Sequence, residues 1–130
     1  MKSILRTGFL AAFCLGLAFN VFGQDRIELI KSGEIIDRVR ESYKDQEYEV
    51  ALQALDSISD NDTNYSSVLF WKGKALQKLQ KWDEALDVYQ KGIALEDANW
   101  RMFLCEQALI QVCKGDVEAG FATFDKAIEI

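Results

Sequence analysis

The residues that could do chemistry in this chain are few, and one missing type narrows them further. There is no histidine among the 130 residues, so Ser-His-Asp and Cys-His nucleophilic sets and histidine zinc sites cannot be built from this chain. Asp60-Asn61-Asp62-Thr63-Asn64 begins as a calcium loop does. Tyr65, however, stands where the sharp turn requires glycine, and Trp71 stands where a bidentate glutamate should close the shell. A polar linker is the better reading. Asn61-Asp62-Thr63 and Asn64-Tyr65-Ser66 both fit the N-glycosylation acceptor pattern, which matters only in a eukaryotic source. No glycine-rich phosphate loop and no C-x-x-C motif occurs, and the scattered carboxylates at helical spacing read as exposed charge. The expectation is no catalytic residue, no metal site, no cofactor and no enzyme activity.

The chain carries 15 Lys+Arg against 21 Asp+Glu, a net charge of −6. Nucleic-acid scaffolds normally show a basic surplus, so nucleic acid is not expected as a partner. At 49% hydrophobic, the chain has enough apolar residues for the core of one domain. Its start is different. Lys2 and Arg6 precede an uncharged apolar run from Gly8 to Phe19, and Val21-Phe22-Gly23 ends it with small residues two apart. This is the pattern of a secretory signal peptide over residues 1–23, cut after Gly23. A retained anchor is the rival reading, but the 16 residues from Gly8 to Gly23 are interrupted by Asn20. A spanning helix needs ~20. Phe13 before Cys14 argues against a lipoprotein signal. Cleavage would leave 13 cations against 21 anions, a net −8 over 107 residues. The mature protein is then acidic and exported, periplasmic if bacterial and otherwise secreted, with no stable membrane insertion.

Self-comparison reveals an internal period. Tyr48-Glu49-Val50-Ala51-Leu52 matches Trp82-Asp83-Glu84-Ala85-Leu86 at a shift of 34, and Val117-Glu118-Ala119-Gly120-Phe121 follows at a further 35. The small residue recurs as Ala51, Ala85 and Gly120, and a bulky one as Leu55, Tyr89 and Phe124. Val39, Gly73 and Ala108 share one upstream register, and Ile35, Leu69 and Leu104 another. Three copies fit, over residues 32–65, 66–100 and 101–130, with 24–31 as a linker or the start of the first helix. Within a copy the apolar spacing is helical. Leu69, Ala75, Leu76 and Leu79 precede a turn at Gln80-Lys81, and Ala85, Leu86, Tyr89 and Ile93 follow it. Each copy is thus predicted to be a helix-turn-helix. In the third, Lys114-Gly115-Asp116 supplies a glycine after one helix and a cap before the next. No segment alternates as a strand would. Cys105 and Cys113 fall on one predicted helix, eight residues or about 12 Å apart. A disulfide needs Cα atoms within about 7 Å, so both read as small buried hydrophobes, with an intermolecular disulfide as the lesser alternative.

Leu69-Phe70-Trp71-Lys72-Gly73-Lys74-Ala75-Leu76, continued by Trp82-Asp83-Glu84-Ala85-Leu86-Asp87-Val88-Tyr89, closely resembles the tetratricopeptide repeat. The resemblance extends over most of residues 32–130. It weakens in the first copy, where Val39 and Ile58 replace small residues, and Gln107 and Gln111 interrupt the third. It implies an all-α, right-handed α-solenoid of three helix pairs. Gly73, Ala85 and Gly92 would let the helices of a pair approach closely, while Trp82 and Tyr89 would fill the space between pairs.

In that family the first helices line a concave face that holds peptide segments. Carried onto this chain, the lining is Ile36, Arg40 and Tyr43, then Phe70, Trp71, Lys74 and Lys78, then Met102, Cys105 and Leu109. The partner implied is a protein or peptide with a hydrophobic anchor and an acid. Ile36, Arg40, Met102 and Glu106 depart from the Lys and Asn lining of the family's carboxylate clamp, so a chaperone-tail site is not expected. The last helix carries Phe121, Phe124, Ala127, Ile128 and Ile130, and no polar capping helix follows it. Two expectations arise from it. The chain dimerises through this edge, or it is the interaction module of a larger exported enzyme or receptor continuing beyond Ile130.

Overall fold

The computed structural model describes residues 31–129. The expected signal peptide at 1–23 and its cleavage site lie outside the described residues, as does nearly all of the 24–31 linker. Among the described residues six helices follow one another: α1 over residues 31–44, α2 over Tyr48–Leu55, α3 over Tyr65–Lys78, α4 over Trp82–Ala94, α5 over Trp100–Cys113 and α6 over Val117–Ile128. No strand occurs among the described residues. The fold is an all-α solenoid in which each helix packs mainly on its neighbours in the chain.

Each pair closes through the same turn. Gln46, Gln80 and Gly115 hold φ of 65°, 60° and 91°, and the residue after each donates its amide back five residues: Glu47 to Ser42, Lys81 to Leu76 and Asp116 to Gln111, at 2.8–2.9 Å. Together with the bonds from Gln46 to Tyr43, Gln80 to Gln77 and Gly115 to Val112, this is the Schellman arrangement, which needs one left-handed residue. Asp116 then caps α6, its carboxylate accepting from the Ala119 amide at 3.3 Å.

Two apolar clusters hold the layers together. Ile36, Val39, Ala51, Leu55, Ile58 and Val68 form the first. Leu69, Leu76, Ala85, Val88, Tyr89, Phe103 and Ile110 form the second. Glycine permits two close approaches in and beside the second cluster. A Cβ on Gly73 would overlap the Tyr89 ring, and one on Gly92 would lie 2.7 Å from the Phe103 ring. Gly92 therefore opens α4 to α5 of the next pair, not to α3 of its own. Tyr89 fills its own pair against Gly73 as well as meeting Phe103 at 6.1 Å. The Gly92 assignment differs from the sequence expectation, and Tyr89 adds a contact within its pair to the expected one between pairs, because a helix in a stack has two packed sides and periodicity does not say which neighbour each side meets.

One glutamine of the third copy is accommodated by polar pairing. Gln111 accepts a 2.7 Å bond from the Thr123 hydroxyl, joining α5 to α6. The cysteine expectation needs correction. Both lie on α5 and neither forms a disulfide, but Cys113 is exposed and Cys105 half-buried.

Candidate functional site

Helices α1, α3 and α5 are the first members of the three pairs, and the expected lining residues lie on them. Ile36 is an exception in orientation: at 5% exposure it belongs to the first core cluster. The apolar side of α1 runs through Ile36 and Val39, which turns Asp37 and Arg40 outward.

The sharpest grouping centres on Trp71. Tyr43 meets its ring edge-on at 5.4 Å, Phe70 at 5.3 Å, and the Arg40 guanidinium lies 5.9 Å from the ring centroid. Tyr48 of α2 extends the series, 5.3 Å from Tyr43. Residues from α1, α2 and α3 thus form one half-exposed aromatic wall with a cation on it. Such edge-to-face pairs contribute about 0.5–1.5 kcal/mol beyond their buried area, so the wall is firm enough to present a fixed surface. Arg40 is also tied to Asp37 at 3.3 Å.

A second grouping bridges α3 and α5. The Lys74 ammonium lies 3.3 Å from each carboxylate oxygen of Glu106, and both side chains are largely covered, at 27% and 13% exposure. Lys74 is therefore a paired cation. Lys78, one turn on, is exposed and makes no ion pair among the described residues. Burial pushes the Tyr43 phenol above its ordinary value, with Lys78 opposing and Tyr48 and Glu106 adding to the rise. Burial also holds the Tyr89 phenol far above the usual tyrosine range, helped by Glu106 and Tyr43. Its hydroxyl donates to Gln77 at 2.8 Å. The two groupings are thus electrostatically continuous around Tyr43 and Glu106.

Met102, Cys105 and Leu109 share one side of α5 but are not drawn into the aromatic wall. Met102 leans on the central core, Cys105 is half-buried, and Leu109 is 46% exposed. Gln77 and Tyr48 are the participants not expected from sequence as lining residues, whereas Glu106 lies at a lining position of α5, four residues after Met102.

The arrangement offers ring faces, aliphatic surface, an open ammonium at Lys78 and a part-shielded ion pair. Ring faces take apolar or cationic groups, and an ammonium takes an anion. No group of three or more acidic or cysteine side chains able to hold a metal occurs among the described residues. No helix of the described residues is long and apolar enough to cross a membrane. Residues 66–99 match the tetratricopeptide repeat, a unit that generally mediates protein–protein interaction and is typically found in non-catalytic scaffolds. No curated protein matches the chain.

Proposed function

We propose, from the tetratricopeptide match as premise, that this chain is an exported, non-catalytic adaptor that holds an extended segment of a partner protein against the concave face of its helix pairs. The observation that supports it most is the wall of Tyr43, Trp71 and Phe70 with Arg40 on the indole. A ring series assembled from separate helices and left half-exposed is more than core packing requires. The segment it suits carries an aromatic or aliphatic anchor for the wall and a carboxylate for Lys78 or Arg40.

Export rests on the basic start, apolar run and small-residue end of residues 1–23. Protein recovered from the envelope or the medium is expected to begin at Gln24 on N-terminal sequencing. Recovery only from the cytoplasm, with residues 1–23 still present, would remove this part of the proposal.

Binding is tested by selecting ligands from a random peptide display library on the purified chain. Enriched peptides should share an aromatic or aliphatic residue near an acid, and Trp71→Ala should weaken them by about tenfold or more, the ~1.4 kcal/mol scale of one aromatic contact. Peptides that bind Trp71→Ala as well as the parent would place the site elsewhere. Circular dichroism on the variant confirms that the helices persist.

A further inference from the structure

Comparing the second helix of each pair exposes a layer without its cover. On α4, Trp82, Leu86, Tyr89 and Ile93 form the stripe that packs into the central cluster, where Tyr89 meets Phe103 of α5. Thirty-five residues on, Val117, Phe121, Phe124 and Ile128 form the same stripe on α6. Here Val117 is 47%, Phe121 63% and Ile128 71% exposed.

The charges repeat as well, and they indicate what fits. Asp56, the residue that ends α2, pairs with Lys72 of α3 at 3.1 Å. Asp83 at the start of α4 pairs with Lys114, the residue that ends α5. Each pair joins the second helix of one copy to the first helix of the next. Moved along by the repeat shifts, Asp56 falls on Gln90 and then on Asp125, and Asp83 falls on Glu118. Helix α6 therefore carries both acids that the earlier layers use singly. Glu118 and Asp125 are exposed, and neither makes an ion pair among the described residues.

We propose that α6 docks an amphipathic helix of a separate protein, lying on it as α5 lies on α4, with its apolar stripe over Phe121 and two Lys or Arg residues seven positions apart. The spacing comes from this chain: Lys114 moved back by 35 is position 79, seven beyond Lys72. Seven residues are about two turns, or ~10 Å, and stay on one side of a helix. In the antiparallel placement the second cation meets Glu118 and the first meets Asp125. Ala127 stands where α4 has Gly92 but is itself buried, so the docking contact falls on the exposed Val117, Phe121 and Ile128. A second copy fits less well. Glu118 and Asp125 both flank the stripe on the same side, and pairing two α6 helices antiparallel about a two-fold axis sets acid beside acid.

The test uses the full chain and two fluorescein-labelled synthetic helices of about five turns, both with the apolar stripe. One has lysines seven residues apart, and the other has glutamates there. By fluorescence anisotropy the lysine peptide should bind at least about tenfold more tightly. Phe121→Asp should abolish that binding, and Glu118→Lys with Asp125→Lys should reverse the preference. These residues are exposed, so circular dichroism should show unchanged helix content. Equal affinity for the two peptides, no saturable binding of the lysine peptide, or binding indifferent to Phe121→Asp would each overturn the proposal. So would a dimer in sedimentation velocity that Phe121→Asp dissolves, because a second copy would then own the face.

Discussion

In the first helix pair the crossing positions hold Val39 and Leu55, and in the central pair the same two positions hold Gly73 and Tyr89. Both pairs bury these residues almost completely. Val39 and Leu55 are each 1% exposed and Tyr89 is 0%, yet one crossing uses two aliphatics of middling size and the other a ring seated on a glycine. The third pair holds Ala108 and Phe124, an intermediate division of the same space. What the fold specifies is the joint volume at the crossing, filled to interior density, and not either residue alone. The tetratricopeptide resemblance is sharpest where the ring-and-glycine solution is used and fades where the two-aliphatic solution replaces it.

The largest effect should come from emptying the central crossing. Tyr89→Ala is expected to cost about 3–5 kcal/mol in urea denaturation. Filling the glycine side instead, with Gly73→Val, should be strongly destabilising alone and partly relieved by Tyr89→Leu, which converts the central crossing to the first pair's solution. A double-mutant cycle should return a favourable coupling of about 1 kcal/mol or more; simple additivity would mean that the two positions do not share one space. Next in size, Ala85→Leu inserts bulk at a position with 0% exposure and should cost ~1–3 kcal/mol. An unchanged thermal midpoint would contradict the assigned side of α4.

A smaller effect isolates what the ring adds beyond volume. Tyr89→Phe keeps the shape and removes the bond to Gln77, at a cost of about 1 kcal/mol. It should also change the alkaline limb of stability. The folded-state pKa of Tyr89 is raised above its unfolded value by burial, so its contribution is fully present below the unfolded value near pH 10 and is lost as pH rises beyond it. Melting temperatures of the parent should fall from about pH 10 upward. The Phe variant should fall less steeply, with Tyr43 and Tyr65, both also raised by burial, sustaining the remaining slope. An identical slope in both proteins would remove Tyr89 as the source.

The helix pairs and their turns were legible because small and bulky residues recur at 34 and 35 residues, and apolar periodicity within each copy places the helices between them. The turn chemistry was readable only at Gly115. Gln46 and Gln80 occupy the same left-handed position without the residue type that announces it, since the Schellman bonds make up for the local strain. The lining was less legible than the fold. Ile36 turned inward because one residue's rotation along α1 decides between core and groove, and the wall around Trp71 depends on Tyr48 from a second helix. Lys74 reads as an open cation in sequence, and only the approach of α5 pairs it with Glu106.

The succession of neighbour-on-neighbour packing has a kinetic meaning. When each helix rests mainly on the one before it and the one after it, no long stretch of chain must be gathered before the first stabilising contacts form. The loop-closure entropy that slows proteins built from distant strand pairings is small here. Folding can begin at the most closely packed pair, α5 with α6, and spread back along the stack one helix at a time. The slightest of these contacts, α2 with α3, is then the last to form and the first to open.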